Sequence, residues 1–220
     1  MHQQGNPLTL KRGVWMSGCF MVLLTGIAAT AQAASFTPIP AGPEHIKALH
    51  NGGYVLYVRH GKTDTTQPDQ IPVDLSDCSK QRPLSDAGRE ELAQLAGWFA
   101  QLDVPHTTVH VSAFCRAQES ADILFPDSEI EIDPDLRYTA SMPKAEREPL
   151  VAHTKKRVST PVTTPGKNQI LVAHGPNIAE IMDYLPPEGT MIIFDPTGNG
   201  FEYVASIEPE HWPVLLEQLD

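Results

Sequence analysis

The sequence predicts an α/β fold with a largely parallel sheet flanked by helices. Three observations carry that expectation. Short apolar runs rich in β-branched and aromatic residues recur along the chain, at residues 54–58, 107–111 and 169–173. Between them lie longer segments with apolar residues at helical spacing, the clearest being Leu92, Leu95, Ala96 and Phe99. Glycine and proline punctuate the junctions, as at Gly52-Gly53 before the first run and Gly175-Pro176 after the third.

The 220 residues are 41% hydrophobic and 20% charged, which suits one globular domain with a sizeable core. The N-terminal residues read as a targeting segment. Lys11 and Arg12 form a positive start, residues 14–29 are largely apolar, and Ala31-Gln32-Ala33 supplies a small-x-small cleavage pattern. The expected organisation is a signal peptide over residues 1–33 and a single domain over residues 34–220, placed in the periplasm or secreted. The apolar run is short for a span and no second one follows, so no stable membrane span is expected after processing. Lipidation at Cys19, after Met16-Ser17-Gly18, and a retained N-terminal anchor are the alternatives.

Of 16 basic groups, loss of Lys11 and Arg12 leaves 14 against 27 acidic ones, a net charge near −13. So acidic a chain is no nucleic-acid binder, because phosphate contacts along a duplex need a basic face. A small phosphorylated substrate remains compatible, since a local arginine cluster outweighs distant negative charge across a screened surface. Oligomeric state has no signature here. Cys78 and Cys115 would be left in an exported chain, which admits a disulfide if their Cα atoms come within about 7 Å. No CxxC pair is present, which argues against a cysteine zinc site.

Taken in order, residues 36–43 carry three prolines and read as an extended lead-in. Residues 44–50 form a short helix with Pro43 at its first turn and Gly52 past its end. The first strand follows, then a polar, proline-bearing loop over residues 62–82, a length that favours function. Ser85 is the N-cap of a helix reaching about residue 101. A strand at 107–111, a helix at 116–125 and a short strand at 129–132 come next. Residues 144–158 are helical but weakened by Pro149, with Lys155-Lys156-Arg157 on a solvated face. The strand at 169–173 leads into a helix at 177–184. Strands at 191–194 and 201–206, joined across a turn, precede a helix at 209–219.

Chemistry concentrates where these strands end. Arg59-His60-Gly61 closes the first, the position at which open α/β sheets place ligands. Arginine offers a planar, permanent cation for phosphate or carboxylate. Histidine serves as nucleophile, base or ligand near neutral pH. Glycine lets the backbone approach a ligand closely. Arg116 opens the helix after the second strand, and His174-Gly175 follows the strand at 169–173, both at helix N-termini that favour anions. Two arginines and two histidines on one sheet edge would suit a tetrahedral dianion. His106 and His110 have zinc-helix spacing but fall on a turn and a strand, so that reading fails. His45, His50, His153 and His211 read as helix-surface residues, and Trp98, Phe99 and Trp212 as core or interface.

Four ordered segments, LYVRHGKTD, PLSDAGREE, AFCRAQESAD and LVAHGPN, resemble the histidine phosphatase superfamily, the phosphoglycerate mutase-like fold. The likeness covers roughly residues 54–207, and four pieces in order are far more specific than a lone RHG. It implies a three-layer sandwich with a mostly parallel central sheet. It also implies a phosphatase in which His60 attacks phosphorus and forms a phosphohistidine, with no metal or organic cofactor. Arg59, Arg116 and His174 would hold the phosphoryl oxygens, Gly61 would fold the loop beside them, and Thr63 would donate a further hydrogen bond.

Two departures stand out. Where many members carry a glutamate acid after a Leu-x pair, Leu136-Arg137 is followed by Tyr138. Asp64, Asp135 and Glu180 are the substitutes considered, Asp64 being preferred for its closeness to His60 in sequence. Ala113-Phe114 replaces the usual Ser-Pro before the second arginine. The expected function is hydrolysis of a phosphomonoester. The rivals are a catalytically weak phosphate-binding protein, kept open by the missing glutamate, and a mutase, which the export signal disfavours.

Overall fold

The computed structural model describes residues 1–2 and 36–219, and residues 36–219 belong to one compact unit. Residues 3–33 of the expected signal peptide, its cleavage position and Cys19 lie outside the described residues. The elements run α1 Pro43–Asn51, β1 Val55–Arg59, α2 Asp86–Leu102, β2 His106–Ser112, α3 Cys115–Leu124, β3 Ile130–Asp133 and α4 Lys144–Ser159. They continue with β4 Asn168–Ala173, α5 Gly175–Met182, β5 Met191–Pro196, β6 Phe201–Ile207 and α6 Trp212–Glu217.

Six strands form one sheet in the order β3-β2-β4-β1-β5-β6. The pairings of β3 with β2, β2 with β4 and β4 with β1 are parallel; β5 runs antiparallel to both β1 and β6. The expected α/β fold with a mostly parallel sheet is therefore present. Its layers follow from the period-2 alternation of strand side chains. Leu56 and Val58 of β1 face a core shared with α1, α2, α3 and α6, including Leu49, Leu92, Leu95, Ala117 and Trp212. Val55 and Tyr57 face the opposite core, with Val158 of α4 and Ile178 of α5. Both faces are covered, which is why the central strands read as continuous apolar runs.

The helix signals act as their chemistry requires. The Ser85 hydroxyl accepts from the Gly88 N–H at 3.0 Å and starts α2. Asp103 and Asp183, at φ 48° and 55°, close α2 and α5 in the left-handed region that aspartate tolerates. α4 is helical as expected and runs through Pro149 to Ser159. Two expectations need correction. Arg157 is not simply solvated, since its Nε lies 3.7 Å from Asp133 at the end of β3. The last helix is shorter than expected, a 3₁₀ turn at Pro209–His211 followed by α6.

The loop over residues 62–82 is held in place by local and long-range ties. Asp64, Asp74 and Asp77 each accept from a backbone N–H two residues on, at 2.9–3.0 Å. Cys78 and Cys115 form a disulfide with Cα atoms 5.7 Å apart and 37 positions between them in sequence. Closing a loop of that length stabilises the fold by about 4 kcal/mol in a chain-entropy model. Gln81 adds a second tie, its Oε1 accepting from the Cys115 N–H at 2.9 Å. The loop is thereby fastened beside Arg116.

Among the described residues, no helix is long and apolar enough to cross a membrane.

Candidate active site

The three central parallel strands, β2, β4 and β1, end side by side, and their carboxyl ends carry the site. Arg59 is the last residue of β1 and pairs in register with Ala173 of β4. The His60 N–H donates to the Ala173 carbonyl at 2.9 Å, and the Gly61 N–H donates to Ser120 Oγ at 3.0 Å. Ser120 in turn donates to the Arg116 carbonyl at 2.6 Å, so one hydroxyl locks the His60 loop to the first turn of α3. Gly61 is demanded by crowding: a Cβ there would lie 2.5 Å from Leu92 Cδ1. Tyr57 fixes the neighbouring corner. Its hydroxyl accepts from the His174 N–H at 3.0 Å and donates to the His174 carbonyl at 2.8 Å. Burial pushes the phenol pKa upward, so it stays neutral and able to do both.

His60 is 1% exposed, and its Nδ1 lies 2.9 Å from the Gly61 carbonyl. A carbonyl only accepts, so Nδ1 carries the proton and Nε2 keeps its lone pair. The ring of His174 stands 5.2 Å from that of His60, centroid to centroid, with its Nε2 on Ser112 Oγ at 2.8 Å. Arg116 has a fully buried side chain whose Nη1 reaches Asp69 Oδ1 at 3.0 Å. Its guanidinium carbon lies 4.5 Å from the Phe114 ring centroid and 5.3 Å from that of Tyr138. Arg59 donates through Nη1 to the Pro186 carbonyl, and its Nη2 lies 3.6 Å from Glu188. Gly175 makes room for this arm, since a Cβ there would meet Arg59 Nε at 3.0 Å.

Arg82 joins them. Its charge acts on Arg59, His60, Arg116 and His174 alike. Five buried nitrogens of this group have no hydrogen-bond partner: Arg59 Nε, Arg82 Nε, Arg116 Nε and Nη2, and His174 Nδ1. Folded proteins seldom leave such groups unpaired. Gathered from three arginines and a histidine, they suit an anion with several oxygens.

The same cations set the charge state of the histidines. Burial, reinforced by Arg116, holds the pKa of both His60 and His174 well below the usual imidazole value. Both rings are neutral near pH 7, as a nitrogen nucleophile requires. The effect on stability has a definite sign. As pH falls, the unfolded chain takes up these two protons near pH 6.5, before the folded protein does. Stability present at pH 7 is therefore lost below about pH 6.5, by up to about 1.4 kcal/mol per pH unit for each ring. His110, also depressed chiefly by burial, acts in the same direction. Urea midpoints between pH 7.5 and 5 in phosphate-free buffer should fall with pH, and less steeply in a His60→Asn/His174→Asn variant. A double variant as steep as wild type would contradict the assignment.

The carboxylates are arranged differently from expectation. Both oxygens of Asp64 are engaged within its own turn, by the Thr66 N–H and hydroxyl and by Gln67 Nε2. Those bonds, the Thr66 hydroxyl first, lower its pKa and hold it ionised. This corrects the choice of Asp64 as acid: nearness to His60 in sequence did not aim its side chain. Asp135 is exposed on the 3₁₀ turn Pro134–Leu136, and Glu180 pairs with Arg147 at 3.2 Å. Thr63 donates to Glu188 Oε1 at 2.9 Å, with its hydroxyl committed there rather than to the cluster of free nitrogens.

The carboxylates that do border the site are Asp69 and Glu188. Asp69 lies on Arg116, and its Oδ1 also accepts from the Arg82 N–H at 2.8 Å. Glu188 stands 3.9 Å from His60 Nδ1, behind the ring as seen from Nε2. Tyr138, in the place expected for a glutamate, presents its ring to His174 at 5.6 Å. Arg82, Asp69 and Glu188 carry no strand-end signal in the sequence; Arg82 shows only as a cation just before the capped helix α2. For a metal, Glu208, Glu210 and His211 offer ligand atoms within 4.8 Å of one another, on the turn before α6 and apart from the arginine cluster.

The family model described as histidine phosphatase superfamily (branch 1) matches residues 55–141. That stretch holds Arg59, His60, Arg82 and Arg116 and ends before His174. No curated protein matches the chain. Among solved structures, an Escherichia coli protein provisionally assigned as an alpha-ribazole-5′-P phosphatase superposes with a TM-score of 0.56 at 15% identity, covering 71% of this chain and 97% of its own. Mycobacterial hydrolase 1 gives 0.51 at 16%, covering 72% and 99%. A mycobacterial glucosyl-3-phosphoglycerate phosphatase gives 0.50 at 16%, again covering 72% and 99%. At such identities the likeness is one of fold.

Proposed function

We propose that the chain is an exported phosphoric monoester hydrolase acting through a covalent phosphohistidine on His60. The observation that carries this reading is a buried, neutral histidine with Nε2 free, set among five unpartnered nitrogens of Arg59, Arg82, Arg116 and His174. The match to the histidine phosphatase superfamily supports it. Export is supported by the signal-like N-terminal sequence and by the Cys78–Cys115 disulfide, a bond that persists in oxidising compartments.

In the first step the Nε2 lone pair attacks phosphorus as the P–O ester bond breaks. The arginines take up the charge on the transferring oxygens. Nδ1–H stays on the Gly61 carbonyl, with the nearby Glu188 carboxylate balancing positive charge on the phosphorylated ring. The leaving oxygen needs a proton. The monoanionic phosphomonoester brings it, and Asp69, held beside the site on Arg116, relays it to the leaving oxygen, whereas Glu188 lies behind the nucleophile. In the second step water attacks phosphorus, the P–N bond breaks, and the Asp69 carboxylate takes the water's proton and passes it to the departing phosphate. No metal or organic cofactor enters the scheme.

The test is steady-state hydrolysis of 4-nitrophenyl phosphate and a simple alkyl phosphate in the presence of EDTA. Wild type should turn over both, with inorganic phosphate as a competitive inhibitor. Asp69→Asn should lower kcat for the alkyl ester by about 10²–10⁴-fold. It should spare the nitrophenyl ester, whose leaving group departs unprotonated. Equal losses on both esters would remove Asp69 from the acid role. Phosphate binding without any turnover would favour a phosphate-binding protein, the reading that Tyr138 in place of a glutamate keeps open.

A further inference from the structure

Next to the arginine cluster lies a pocket of about 310 Å³ built from three separate parts of the chain. One wall comes from the long loop and carries Ile71, Val73 and Leu75; the other carries Phe114, Tyr138 and Met142. Phe114 and Tyr138 belong to the pocket and to the site at once. Both rings lie close to the Arg116 guanidinium, and their centroids lie 5.1 and 5.6 Å from that of His174. A group attached to a phosphate held by Arg116 and His174 therefore meets these rings first.

The lining is mostly apolar, its polar side chains being Arg137, Tyr138, Ser141 and Glu146, with Arg137 Nε buried and unpartnered. Its charged members are Arg137 and Glu146, of opposite sign, and its aliphatic hydroxyl is Ser141. The aliphatic and aromatic walls give a sugar's hydroxyls no partners, and hydroxyls left unpaired there are penalised heavily. Ile71 is 82% exposed on the loop wall, although the same loop is fastened by the disulfide and by Gln81. An apolar side chain held in water at the rim of an aromatic pocket gains by covering an apolar ligand.

We propose that this pocket is the leaving-group subsite and that it takes an apolar alkyl or aryl moiety. The substrates are then phosphomonoesters of hydrophobic alcohols or phenols rather than phosphosugars. The proposal rests on the phosphate site described above as its anchor.

Calorimetric titration with n-alkylphosphonates, from propyl to octyl, tests the subsite without requiring catalysis. Affinity should rise roughly fourfold for each of the first several methylenes, the gain for burying a CH₂. In an Ile71→Asp/Val73→Asp variant that chain-length dependence should disappear. Affinities that are flat across the series, an unchanged slope in the variant, or no phosphonate binding at all would overturn the proposal. A retained slope in a protein that forms no phosphoenzyme would leave the subsite standing and remove the hydrolase reading. A flat series in a protein that does form one would do the reverse.

Discussion

His60→Ala is expected to lower kcat for any phosphomonoester by about 10⁵–10⁶-fold, the scale seen when a covalent nucleophile is removed. The size follows from the geometry. His174, the other ring nearby, has Nε2 committed to Ser112 and serves the cluster of free nitrogens through Nδ1. Phosphate affinity should survive, because Arg59, Arg82 and Arg116 remain. The variant should also stay folded, since the imidazole it loses is neutral and leaves no buried charge unpaired. Steady-state rates, phosphate titration and a thermal midpoint check the three parts together. Hydrolysis within tenfold of wild type would show that His60 is not the nucleophile.

Arg116→Ala should be nearly as damaging, at about 10³–10⁵-fold in kcat, the range for an arginine that neutralises a transferring phosphoryl group. Here, phosphate affinity should fall with the rate. Arg116 supplies two of the five unpartnered nitrogens, and its removal also strands the Asp69 carboxylate beside the site. Arg116→Lys should recover only a small part of the loss. A lysine keeps the charge but cannot present two donors along one planar edge, nor lay a planar cation against Phe114 and Tyr138. Full activity in the lysine variant would mean that charge alone matters at this position.

The parts of this account that were legible in the sequence are those written locally. An apolar run that stops at Arg59-His60-Gly61 or His174-Gly175 declares both a strand and what stands at its end, and adjacent parallel strands bring such ends together. The layers follow from the same runs, because strands covered on both faces are apolar throughout. What could not be read depends on where distant side chains point. Asp69 and Arg82 reach the site because the long loop folds back and is fastened by Cys78–Cys115 and Gln81. Glu188 arrives from the segment between α5 and β5, 128 positions after His60. Asp64 illustrates the converse error: four residues from His60, it spends its oxygens on Thr66 and Gln67, as aspartates in turns commonly do. Tyr57 looked like an ordinary core residue, yet its hydroxyl holds both backbone groups of His174.

The most direct test is acid-quench trapping with a ³²P-labelled phosphomonoester. The account predicts label bound to the protein that is lost in acid, resists alkali and maps to the peptide containing His60, with none in His60→Ala. Turnover without trapped label during a single-turnover burst, or equal label in His60→Ala, would contradict it.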